Sequence, residues 1–149
     1  MNEQQLILVV DDSEDDVMLM QHAFEAAHFK PKLQTVNDGE EAIAYLKGSG
    51  SYLDRSKFPL PTVMLLDLNM PKMGGLEVLR WVKTQPGLKR LSIIVFSASA
   101  RAEDVVRAFE AGANSYLVKP GSVSSLIAMM CSLRDWLECC HFPTVDSQP

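Results

Sequence analysis

The stretch Leu6-Ile7-Leu8-Val9-Val10-Asp11-Asp12-Ser13 decides the fold. Positions 6 to 10 are apolar without a break, so the segment does not alternate as a half-buried strand would. A short run of this kind fits a strand covered on both faces, as in a parallel sheet. The run stops at two carboxylates, and the pattern then changes period. Val17, Met20, Phe24 and Ala27 recur at helical spacing, which predicts a helix over about 14–27 that Pro31 closes off.

The same unit returns four times along the chain. Lys32 to Val36 reads as a more polar strand suited to a sheet edge, followed by the turn Asn37-Asp38-Gly39 and a helix carrying Ala42, Ile43 and Leu46. Val63 to Leu66 is a third strand ending at Asp67, and a loop through Asn69, Pro71, Gly74 and Gly75 leads to a helix with Leu76, Leu79, Trp81 and Val82. Ile93 to Phe96 ends at Ser97, and a helix over about 103–111 is capped by Gly112. Ser115 to Val118 ends at Lys119-Pro120, and a last helix covers about 123–138. Regular β-α alternation implies an α/β protein with a parallel sheet, helices on both faces and right-handed crossovers. The long connection 48–61 holds Tyr52, Leu53 and Phe58 among its Gly, Ser and Pro, and so reads as a loop packed on the body.

Composition removes several classes of function. At 149 residues and 47% hydrophobic, the chain can bury one sound core. A net charge of −5 argues against nucleic acid as a direct partner. No apolar stretch approaches the ~18 residues of a membrane span. The first apolar run is too short, and lacks the basic leader, for a secretory signal, so the expected location is the cytoplasm. Cys131, Cys139 and Cys140 lack metal-ligand spacing and read as small apolar residues of the last helix, and His22, His28 and His141 as surface residues.

Polar residues stand where the strands stop: Asp11 and Asp12, Asp67, Ser97, Lys119. In an open α/β sheet the C-terminal strand ends face one crevice, at the switch in strand order. If the first and third strands are neighbours, three carboxylates meet there. Two carboxylates ~5 Å apart repel by roughly 3 kcal/mol at an effective dielectric of ~20. A hard divalent cation relieves this, and oxygen-only ligands suit Mg²⁺. One carboxylate is then free to act as a nucleophile towards phosphorus, with Lys119 and Ser97 holding phosphoryl oxygens. Taken singly, each residue has a plainer reading: a helix cap for Asp12 or Ser13, a turn for Asp67, a satisfied loop hydroxyl for Ser97, and a snorkelling amine for Lys119.

The ordered set Val9-Val10-Asp11-Asp12-Ser13, Leu65-Leu66-Asp67-Leu68-Asn69-Met70-Pro71, Phe96-Ser97-Ala98 and Tyr116-Leu117-Val118-Lys119-Pro120 resembles the receiver domains of two-component response regulators, over about residues 6–138. The resemblance implies a flavodoxin-like (βα)5 doubly wound parallel sheet of strand order 2-1-3-4-5, with a receiver over 1–140 and a tail over 141–149. It implies a CheY-like phosphoprotein that takes its phosphoryl group on Asp67 from a sensor histidine kinase or histidine phosphotransfer protein, and that is not a turnover enzyme. Mg²⁺ would be held by Asp12, Asp67 and the backbone carbonyl of Asn69, with Asp11 acting largely through water. Ser97 would bond the phosphoryl group, Tyr116 would rotate inward behind it, and Lys119 would pair with it through a cis Lys119–Pro120 bond. Ser99 and Asn69 occupy positions that tune phosphate hydrolysis in this family. Gly74 departs from the acidic residue usual there. The loop 48–61 and the lack of an output domain look like the small regulators paired with bacterial phytochromes and hybrid sensors.

Signalling without an output domain requires protein contact. In the last helix, Leu126, Met130, Leu133 and Leu137 form a core stripe, while Ile127, Ala128, Met129 and Cys131 widen the apolar surface. The excess fits a homodimer or other partner on the face made by the fourth helix, fifth strand and fifth helix, or else a broad core stripe under the tail. Three other classes compete with a working receiver: a flavin or nucleotide module, a phosphohydrolase with an aspartyl nucleophile, and a degenerate receiver acting as a scaffold. The first is disfavoured by an acidic first loop that would repel phosphate. The second favours an aspartate where Asn69 stands.

Overall fold

The computed structural model describes residues 5–146. Five strands, β1 (Leu6–Val10), β2 (Lys32–Val36), β3 (Val63–Leu66), β4 (Ser92–Ser97) and β5 (Ser115–Val118), alternate with five helices: α1 (Glu14–Ala26), α2 (Gly39–Lys47), α3 (Gly75–Thr84), α4 (Ala102–Ala111) and α5 (Val123–Cys139). All pairings are parallel, in the order β2-β1-β3-β4-β5, so the flavodoxin-like order expected from the sequence is the one found.

The unbroken apolar runs make two cores. Leu8, Val10, Met64, Leu66, Ile93 and Val95 point to the face covered by α2, α3 and α4, where Leu46, Leu79 and Val82 meet them. Their neighbours Ile7, Val9, Val63, Leu65, Ile94 and Phe96 point to the face covered by α1 and α5, against Met20, Phe24, Met130 and Leu137. The two-residue period of a strand thus feeds both layers at once. β2 lies at an edge, as its polar sequence predicts. β4 is one residue longer at each end than its apolar run, because Ser92 pairs with Val63 and Ser97 with Val118 through backbone groups that need no apolar side chain.

On α5 the stripe Leu126, Met130, Leu133 and Leu137 is buried as expected. Ile127, Met129 and Cys131 are half-buried against the same core, so most of the apolar excess belongs to a broad core stripe, and Ala128 alone of the four is exposed. Residues 141–146 carry no helix or strand, yet they are attached. The Phe142 ring meets Trp136 edge-on at 6.0 Å, Val145 packs on the opposite core, and the Asp146 N–H donates to the Gly87 carbonyl at 2.8 Å.

One expectation is corrected. No peptide bond among the described residues is cis, so Lys119–Pro120 is trans. Trans is the intrinsically favoured isomer of an X–Pro bond by about 0.5–1 kcal/mol, and Lys119 reaches the carboxylates from that backbone without the cis form.

Candidate functional site

The sheet ladder itself gathers the strand-end residues. The Asp11 N–H donates to Val36 O at 3.1 Å, the Asp67 N–H to Val10 O at 3.0 Å, and the Lys119 N–H to Ser97 O at 2.7 Å. Each bond carries the pairing one residue past the regular strand and fixes the polar residue at the C-terminal rim. Asp11, Asp12 and Asp67 consequently offer carboxylate oxygens that all lie within 4.8 Å of one another. Asp11 and Asp67 are buried, whereas Asp12 faces solvent.

Lys119 enters this group from β5. Its ammonium donates to Asp11 at 2.7 Å, to Asp16 at 2.8 Å and to Asp67 at 3.3 Å. Burial works against its charge, but hydrogen bonds to Asp11 and Asp16 and the nearby Asp67 and Asp11 charges outweigh burial and hold it above the usual lysine range. Three carboxylates therefore share one ammonium, Asp12 stands beside them, and negative charge is left in excess. Oxygen donors only, close together and under-neutralised, are the donor set of a hard divalent cation.

Ser97 is fully buried at the end of β4, and its hydroxyl accepts a long bond from the Ser99 N–H at 3.4 Å. Tyr116 is half-buried and donates its hydroxyl to the Ser99 carbonyl at 2.8 Å. Asn69 is exposed at the mouth, and its N–H donates to Asp67 at 3.3 Å. The structure brings Asp11, Asp12, Asp67 and Lys119 into one group and sets Ser97, Tyr116 and Asn69 around it.

A search of protein-family models matches residues 7–130 to the response regulator receiver domain. The chain belongs to the response-regulator receiver family.

Among relatives, this receiver is 35% identical over 143 residues to the response regulator Rcp1 of Synechocystis sp. (strain PCC 6803), covering 95% of both chains. The Mn²⁺-bound structure of Rcp1 superposes with a TM-score of 0.82, over 94% of this chain and 99% of that one. The phosphorylated cyanobacterial phytochrome response regulator RcpA is 33% identical with a TM-score of 0.86, covering 95% of this chain and all of that one. Response regulator RPA3017, from red-light signalling in R. palustris, is 32% identical with a TM-score of 0.90, over 95% and 99%. Receivers of this kind are signalling proteins and not turnover enzymes.

Two features of the receiver site escape a reading by strand ends. Asp16 lies in the first turn of α1 and takes up the second of Lys119's short bonds. Six consecutive residues, Asp11 to Asp16, include five carboxylates, and nothing in one dimension says which of them Lys119 reaches. The Ser13 cap on the Asp16 N–H is the available signal, since it fixes the start of α1 and with it the place of Asp16 in the first turn. Ser99 is the second feature. It touches Ser97, Tyr116 and, through its hydroxyl, the Asp104 carboxylate of α4, so it links the site to the outer face.

Proposed function

We propose that this receiver takes a phosphoryl group onto Asp67 from a histidine of a sensor kinase or phosphotransfer protein, with Mg²⁺ bound, and signals by changing the protein surface it presents. The observation that carries this reading is the convergence of three carboxylates within 4.8 Å, with the Lys119 ammonium 3.3 Å from Asp67. Asp12, Asp67 and the Asn69 carbonyl would hold the cation, with Asp11 acting through water. When bound, Mg²⁺ supplies positive charge that offsets both the carboxylates and the incoming phosphoryl oxygens. A carboxylate oxygen of Asp67 attacks phosphorus, an O–P bond forms, and the P–N bond to the donor imidazole breaks. Lys119 donates to the phosphoryl oxygens as charge builds on them, and the Ser97 hydroxyl turns to do the same.

Movement of Ser97 draws on Ser99, which Tyr116 and Asp104 both hold. Inward rotation of Tyr116 would then shift the balance of conformations on the α4-β5-α5 face. That face exposes Val106, Phe109, Val118 and Val123, which suits contact with a second copy or another protein. The receiver would span 1–140, with 141–149 as a tail, in the cytoplasm where kinase domains meet it. Likeness to Rcp1, RcpA and RPA3017 favours a phytochrome-type or other hybrid sensor as the kinase.

Incubation with acetyl phosphate and Mg²⁺ tests the acceptor. Intact mass should show one added phosphoryl group in the wild type and none in Asp67→Asn, and omission of Mg²⁺ should abolish labelling of the wild type. Equal labelling of both proteins would remove Asp67 from this role.

A further inference from the structure

An ammonium has three protons to give, and three carboxylates claim those of Lys119. The two shorter bonds go to Asp11 at 2.7 Å and Asp16 at 2.8 Å, and the longest, 3.3 Å, goes to the acceptor Asp67. Asp16 is not one of the three carboxylates that gather at the strand ends, so its contribution to the site runs through Lys119. The backbone of Asp16 is fixed at the start of α1. Its N–H is capped by the Ser13 hydroxyl at 3.2 Å, in the first turn of α1, and its side chain is 41% exposed while the lysine is nearly covered.

We propose that Asp16 is a positioning residue that shares Lys119 with the acceptor: it keeps the ammonium beside Asp67 in the unmodified receiver and competes for it with the phosphoryl group. The proposal rests on the acceptor reading of Asp67. A phosphoryl group on Asp67 adds oxygens that need the same protons, and Lys119 cannot supply them fully while one proton stays on Asp16. Phosphorylation therefore draws Lys119 off Asp16, and the strength of that bond sets part of the equilibrium between the two states. The neighbouring Asp15 carries the same charge but is exposed and makes no bond to Lys119, so it separates this specific pairing from a general charge effect.

The experiment titrates full-length protein with beryllofluoride, a phosphoryl mimic, in the presence of Mg²⁺, comparing wild type, Asp16→Asn, Asp15→Asn and Asp16→Glu. Lysine side-chain ammonium signals are followed by NMR in the same samples. Asp16→Asn should bind the mimic about two- to fivefold more tightly, the range expected for an ion pair with one partly exposed member. It should also shift the Lys119 ammonium signal before any mimic is added. Asp15→Asn should do neither, and Asp16→Glu should return both readouts towards wild type. A merely structural role for Asp16 would weaken binding or leave it alone, and that result overturns the proposal, as does an Asp16→Asn affinity equal to that of Asp15→Asn. Failure of the wild type itself to bind beryllofluoride overturns the acceptor reading, and the proposal with it.

Discussion

In the absence of a cation the Asp67 carboxyl group is held above the ordinary carboxylate range. Burial is the main cause, Lys119 opposes it, and the Asp11 charge adds to it. A carboxyl group raised in the folded state favours its protonated form there. Its contribution to stability is present below the unfolded value of ~3.9 and is lost as pH rises through the folded value. At neutral pH, then, the Asp67 carboxyl group contributes less to the metal-free fold than it does in acid. Asp67→Asn should melt a few degrees higher than wild type at pH 7 in EDTA, by circular dichroism, and the gap should close as pH falls towards ~4. Mg²⁺ should raise the melting temperature of the wild type and leave Asp67→Asn nearly unmoved, because a ligand stabilises only the state that binds it.

Between elements, backbone contacts set the site's tolerance. A Cβ placed on Gly75, at the start of α3, would lie 2.3 Å from the Asp67 carbonyl oxygen, and backbone cannot yield as a side chain would. Gly75→Ala should therefore displace the end of β3, lower stability by roughly 1–3 kcal/mol as an overpacked site does, and weaken Mg²⁺ binding in calorimetry. A Cβ on Gly74 beside it would be less confined but still tight, 3.2 Å from the Leu68 carbonyl oxygen, so glycine suits this position. The loop 48–61 is tied down at a different end of α2. Arg55 donates to the carbonyls of Tyr45, Leu46 and Phe58, and the rings of Tyr45, Tyr52 and Phe58 pack together. Arg55→Ala should cost about 2 kcal/mol, typical for lost charged hydrogen bonds. It should speed amide exchange across the loop and leave Mg²⁺ affinity unchanged.

The strands were legible because a strand covered on both faces must be apolar throughout, and Leu6 to Val10 is. The polar rim was legible for the same reason: Asp11, Asp67, Ser97 and Lys119 are the first residues that break those runs. Gly75 was not legible as a steric requirement, since its constraint comes from a carbonyl eight residues earlier that only the turn brings back. Asp16 was hidden among like charges, and the trans Lys119–Pro120 bond ran against an expectation taken from family habit. The apolar width of α5 was visible but ambiguous, because a broad core stripe and a docking face have the same composition.

Across the whole molecule, the α/β layering separates the chemistry at the strand ends from the outer face of α4, β5 and α5, and Ser99 bridges the two. Beryllofluoride with Mg²⁺ should move amide resonances on α4 and β5 more than on α2. No movement there would reject signalling through that face. Sedimentation with and without the mimic should show association increasing in the activated state, and a monomer at high concentration in both would reject the homodimer. The most direct test of the account is to soak crystals with Mn²⁺ and locate the ion by anomalous scattering. The account predicts one ion within about 2.5 Å of carboxylate oxygens of both Asp12 and Asp67, close to the coordination distance of a hard cation. An ion bound elsewhere, with the three carboxylates left bare, would contradict it.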